Sequence, residues 1–127
     1  MTAAAPKDPY SNQVIGLAIK VHKALGPGLL ESAYEECLAY ELTKSGLPFG
    51  RQMALAMVYE EVRLDCAYRA DFVIDGQLLV ELKSVDKLMP IHDAQILTYL
   101  RLSGCRVGLL MNFNHEILRT GLKRFVL

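Results

Sequence analysis

The sequence has no excess of charge of either sign: Lys plus Arg number 14, and so do Asp plus Glu. That excludes a strongly cationic domain that grips nucleic acid with its whole surface. Phosphate binding would have to rely on a local basic groove or a bound cation. Cysteine is also scarce. Cys37, Cys66 and Cys105 are widely spaced with no CxxC pair, which argues against a disulfide framework or a cysteine zinc site and points to a reducing cytoplasm. No apolar run approaches the roughly 18 residues of a membrane span. The stretch from Met1 to Pro9 lacks the apolar centre of a signal peptide, so a soluble chain without a membrane partner is expected. The 5 prolines and 9 glycines follow no period, and no internal repeat is visible, which argues against fibrous architectures.

What is present suits one packed domain. The chain has 127 residues, 52% of them hydrophobic, and a domain of this size buries roughly two-thirds of its unfolded surface without staples. Residues 1–10 are expected to form a flexible arm and residues 11–127 a single domain.

Hydrophobic periodicity orders the elements. After Ser11, a candidate helix cap, Val14, Ile15, Ala18, Val21 and Leu25 recur at helical spacing until Gly26-Pro27-Gly28 breaks the pattern. A second helix is predicted from about Leu30 to Lys44, with Gly46 past its end. Three extended segments follow, at about 53–59, 63–74 and 78–84, separated by Glu60-Glu61 and Asp75-Gly76. Pro90 marks the start of a third helix that ends before Gly104, Val107 to Phe113 reads as another strand, and Arg124 to Leu127 as a short edge strand. The strand, helix, strand order from Leu78 to Met111 predicts two parallel strands joined by a crossover.

Within Leu78-Leu79-Val80-Glu81-Leu82 a single carboxylate interrupts a run that otherwise suits a strand buried on both faces. Residues two apart on a strand share a side, so Glu81 and Lys83 lie together. A plain ion pair at the strand end would explain that tripeptide alone. Asp71, on the preceding strand, adds a second carboxylate. Two carboxylates and a lysine suit phosphodiester hydrolysis: the hard oxygens hold Mg²⁺ or Mn²⁺, and the lysine positions or polarises water.

Asp71 followed by Glu81-Leu82-Lys83 resembles the PD-(D/E)XK nuclease superfamily, with Ala70 where a proline usually precedes the aspartate. Gly28-Leu29-Leu30-Glu31-Ser32-Ala33-Tyr34 is similar to the motif of the small GxxExxY proteins, a branch of that superfamily. The resemblance spans about Val14 to Phe113. It implies an α/β fold with a restriction-endonuclease-like core, a mixed sheet flanked by helices in the order α-α-β-β-β-α-β. It further implies Asp71 and Glu81 as metal ligands, Lys83 beside them and Glu31 as a helix-borne acid. Gln95-Ile96-Leu97-Thr98-Tyr99 resembles the QxxxY element of RecB-type nucleases, which makes Gln95 and Tyr99 substrate neighbours, and His92 is a further one.

Other readings stand beside these. Glu31 and Glu35 are one helical turn apart and either could be a solvated helix acid, the reading preferred for Glu35. Gln95 and Tyr99 could be the solvent side of their helix. Arg51, Arg63, Arg69, Lys87 and Arg101 could track phosphate or simply be solvated. The leading expectation is a metal-dependent nuclease acting on DNA or RNA. The alternatives are an inert nuclease-fold protein that binds nucleic acid or a protein partner, and a subunit of a larger complex; a homodimer is left open. Hairpin register tests the shared metal site on which the leading expectation rests. A two-residue Asp75-Gly76 loop pairs Asp71 with Val80 and sends the carboxylates to opposite faces, whereas a three-residue loop with Gly76 left-handed, or a bulge, brings them together.

Overall fold

Apolar residues three and four apart close one face of a first helix, α1 (Ser11–Leu25), in which Val14, Ala18 and Val21 are buried. The computed structural model describes residues 8–127 and, at Cys66, the backbone alone; positions 1–7 of the expected arm lie outside the described residues. Ser11 is the first helical residue and not the cap. The carboxylate of Asp8 takes the N–H groups of Tyr10 and Ser11 at 2.9 and 2.6 Å and the Ser11 hydroxyl as well, as an acid at a helix start should. Helix α2 (Glu31–Lys44) buries Tyr34, Leu38 and Leu42, and Gly46, with φ 74°, lets the chain leave it.

The strands are β1 (Phe49–Tyr59), β2 (Val62–Ile74), β3 (Leu78–Lys83), β4 (Val107–Asn112) and β5 (Leu122–Val126), with α3 (Pro90–Ser103) between β3 and β4. They form one five-stranded sheet in sequence order. β3 and β4 are parallel, joined through α3, and every other neighbouring pair is antiparallel. This mixed sheet flanked by helices is the α/β architecture expected. β1 starts at Phe49, earlier than its apolar alternation suggests, because Phe49-Gly50-Arg51 pairs with Phe72-Val73-Ile74 through backbone groups that need no particular side chain. β5 likewise starts at Leu122, after a short 3₁₀ turn, Leu118–Gly121.

Each sheet face has its own core. Phe72, Ile74, Leu78, Val80, Leu82, Leu109 and Met111 pack with α1 and α2, while Val73, Leu79 and Leu110 pack with Ile96, Tyr99 and Leu100 of α3. β3 and β4 are buried along almost their whole length, which explains their nearly unbroken apolar runs.

Candidate active site between β2, β3 and α3

The turn between β2 and β3 sets the geometry. Phe72 pairs with Val80, Val73 with Leu79 and Ile74 with Leu78, so the loop is Asp75-Gly76-Gln77, the three-residue form. Asp75 and Gly76 have φ 49° and 66°, and glycine takes that left-handed backbone at no steric cost. Continuing the register sets Asp71 level with Glu81, and there the regular ladder stops. Side chains complete it: the Asp71 N–H donates to Glu81 Oε1 at 2.8 Å, and the Leu82 N–H donates to Asp71 Oδ2 at 2.8 Å. The two carboxylates are thus held together by reciprocal backbone bonds where the strands part.

Gln52, unremarked in the sequence, and Glu35, read there as a solvated helix acid, complete this corner. Arg51 pairs with Phe72 and Met53 with Ala70, so Gln52 stands opposite Asp71, yet its φ is 50°. Left-handed backbone is unfavourable for glutamine and persists where surrounding contacts hold it. Its amide donates to Asp71 Oδ1 at 3.1 Å and to Glu35 Oε1. Glu35 is therefore not the solvated helix acid expected: its side chain is only 15% exposed, and Arg51 donates to it at 2.8 Å. Spacing alone could not reveal this, because the partners arrive from β1, a strand distant in sequence.

Glu31 opens α2, and the residues around its motif explain its placement. Gly28 has φ 93°, a conformation that favours glycine. The buried Tyr34 accepts from the Leu29 N–H at 3.1 Å, donates to the Gly26 carbonyl at 2.6 Å and stacks on Phe113 with centroids 4.6 Å apart. The tyrosine thus anchors the glycine loop that precedes Glu31. Ser84, just after Lys83, donates its hydroxyl to the Leu29 carbonyl at 2.6 Å, which ties the end of β3 to the loop that precedes Glu31. Glu31 is exposed as a residue, but partial burial of its carboxyl raises its pKa; Lys83 opposes that shift, while Asp71 and Glu35 add to it.

The electrostatics single out Glu81, which is only 4% exposed. Burial foremost, and then the charge of Asp71, pushes its pKa up to about 8 against the weaker pull of the Asp71 N–H and Lys83. Asp71 is raised too, by burial first, with the Leu82 N–H and Gln52 opposing and Glu35 adding. Ionising both carboxylates at once is therefore disfavoured at this corner.

On α3, Ile96 and Leu100 pack into the core, and Gln95 donates its amide to the Tyr99 hydroxyl at 3.1 Å. The Tyr99 pKa is raised, by burial first and then by Glu81. Gln95, Tyr99, His92 and Lys83 line one cleft of about 510 Å³, to which Tyr68 of β2 contributes an unforeseen aromatic wall. His92 Nδ1 accepts from the Met89 N–H at 2.9 Å at the start of α3. Of the basic residues considered for a phosphate track, Arg51 is engaged by Glu35 and Glu36, Arg63 by Asp65, and Arg101 by Thr98 at 3.2 Å.

The donor set fits a hard divalent cation. Each carboxylate uses one oxygen on a backbone N–H, and the other oxygen of Asp71 takes only a 3.1 Å amide bond. Among the described residues no group of three or more His, Cys, Asp or Glu forms a ready-made cage. Mg²⁺ characteristically uses one or two carboxylates, with water and phosphate oxygens filling the rest of its octahedron. Comparison with known families finds that the model of the PD-(D/E)XK nuclease superfamily matches residues 8–125. No curated protein and no solved structure matches the chain.

Proposed function

The chain belongs to the PD-(D/E)XK nuclease superfamily, and from that premise we propose that it is a Mg²⁺- or Mn²⁺-dependent phosphodiesterase acting on DNA or RNA, with Asp71 and Glu81 as metal ligands. The observation that carries this reading is the reciprocal pairing of the two carboxylates at the point where the β2–β3 ladder ends, beside Lys83. We place the chain in the GxxExxY branch on the ground of Gly28, Glu31 and Tyr34, the last of which anchors the loop that presents the acid. Residues 11–127 are treated as the nuclease-like domain, and a cytoplasmic location accords with cysteines that lack pair spacing.

When bound, the divalent cation supplies Lewis acidity at the phosphate and lowers the pKa of water. The protein's residues do the rest. Asp71 and Glu81 hold their ligand oxygens in place through the Leu82 and Asp71 amides. Lys83 orients the attacking water and balances charge developing on phosphate. Glu31, just after the loop that Ser84 ties down and within the field of Lys83, steadies that ammonium. Gln95 and Tyr99, with His92, line the adjoining cleft for substrate.

The test is incubation of purified full chain with single-stranded DNA, duplex DNA and RNA under Mg²⁺, Mn²⁺ or chelator. Asp71→Asn and Glu81→Gln are expected to lower cleavage by roughly 10³-fold while the fold is kept. Lys83→Ala should cost about a hundredfold in rate with metal affinity spared. Ca²⁺ is expected to bind without supporting turnover. Cleavage equal in wild type and Asp71→Asn marks a contaminant, and inactivity on every substrate sinks the enzymatic reading in favour of an inert nucleic-acid- or protein-binding member of the fold.

A further inference from the structure

The cleft beside Lys83 has a wall that neither the core nor the carboxylate corner requires. Tyr68 projects from β2, opposite Leu55 of β1. Its ring lies 5.6 Å from that of Tyr99 at an interplanar angle of 48°. The two tyrosines are used differently. Tyr99 is 6% exposed and belongs to the core under α3, whereas Tyr68 is 38% exposed and is not among the residues packed into either core. Ile91, 70% exposed at the start of α3, lines the same cleft. An aromatic face and an aliphatic side chain therefore border one cleft. Polar residues line it with them: Gln95, Thr98, His92 and Lys83.

We propose that this cleft is a subsite for one unstacked nucleobase, with the Tyr68 ring as its stacking surface, so that the preferred substrate is a single-stranded polynucleotide or a frayed end and not an intact duplex. The chemistry matches part by part. A base offers a π-face to tyrosine whatever its identity, which gives affinity without sequence preference. Its edge offers donors and acceptors to Gln95 and Thr98, and the phosphate attached to it carries negative charge toward Lys83. In a duplex both faces of each base are already stacked on neighbours, so a base reaches the Tyr68 ring only after unpairing, and single strands avoid that penalty. The subsite rests on the nuclease reading for what happens at Lys83, but base binding is argued from the cleft alone.

Binding separates the two. In Ca²⁺, the affinity of the full chain for fluorescein-labelled single-stranded DNA, single-stranded RNA and a blunt-ended DNA duplex is measured by anisotropy, with melting curves to verify folding. Tyr68→Ala is expected to weaken single-strand binding roughly tenfold. Tyr68→Phe, which keeps the ring, should bind like wild type, and Tyr68→Leu, which keeps apolar bulk without a π-face, should resemble the alanine variant. Scanning the oligonucleotide with single abasic positions should find one at which the Tyr68→Ala penalty disappears, because the contact has already been removed from the other side. The DNA and RNA arms decide which sugar the site accepts. Tyr68→Ala that binds as wild type does, an equal loss on single strand and duplex, or no abasic position that cancels the effect would each overturn the proposal. Tyr68-dependent binding without any Mg²⁺-dependent cleavage would sink the nuclease reading and leave the subsite standing.

Discussion

The two faces of β3 are nearly equal in burial and opposite in consequence. Leu78, Val80 and Leu82 point into the core beneath α1 and α2, which is closed by the Tyr34–Phe113 stack. Leu79, Glu81 and Lys83 point toward α3, where the apolar layer gives way to the cleft after Leu79. A carboxylate on the first face would be a charge sealed in hydrocarbon, several kcal/mol out of balance. On the second face Glu81 is almost as buried, but it takes the Asp71 N–H and lies within the field of Lys83. One strand can therefore act as a central structural strand and carry chemistry, provided its two faces meet layers of different completeness.

Substitutions can break or sharpen that contrast. Leu78→Ala removes a fully buried side chain from the closed face and should cost about 3–4 kcal/mol of stability by guanidinium unfolding, with or without divalent cation. Glu81→Gln on the open face should do the reverse in metal-free protein. The Glu81 pKa rises from 4.5 to about 8 on folding, so the folded chain binds more protons than the unfolded chain across that window. The favourable contribution is complete below about pH 4.5 and is lost as pH rises through 8. Metal-free wild type should accordingly melt at lower temperature at pH 8.5 than at pH 5.5. Glu81→Gln should flatten that slope and add roughly 2–3 kcal/mol at pH 8.5. Divalent cation, which needs the deprotonated form, should narrow the gap. A wild type whose stability does not fall between these pH values would refute the idea of an uncompensated buried charge. The smallest effect is expected at the hairpin: Gly76→Ala meets no neighbour within 4 Å but must adopt φ 66°, at a cost of about 1 kcal/mol with the carboxylate pairing retained.

Much of this was legible in the residues themselves. The helices could be read because their apolar stripes are long and end at Gly26 and Gly46, and β3 and β4 because they are continuous apolar runs. Asp71, Glu81 and Lys83 stood out for chemical reasons, since charge within a buried strand demands a partner. The less legible features depend on partners remote in sequence. Asp8, and not Ser11, serves the start of α1 because its carboxylate reaches the Tyr10 and Ser11 amides. Glu35 joined the acidic corner through Arg51 and Gln52, and Tyr68 became a cleft wall only because α3 folds across β2 and β3.

Local patterning thus determined the order of helices and strands and which ionisable residues were out of place, because period, breaker residues and a charge amid apolar neighbours are properties of short segments. Whether those ionisable residues met was decided by tertiary structure. A single extra loop residue, Gln77, separates carboxylates that face each other from carboxylates on opposite faces of the sheet, and register is chosen by the packing of both faces at once. The left-handed Gln52, the clamp of Ser84 on the Glu31 loop and the aromatic wall at Tyr68 likewise exist only after distant segments are assembled, since each is a contact between elements and not a property of any one of them.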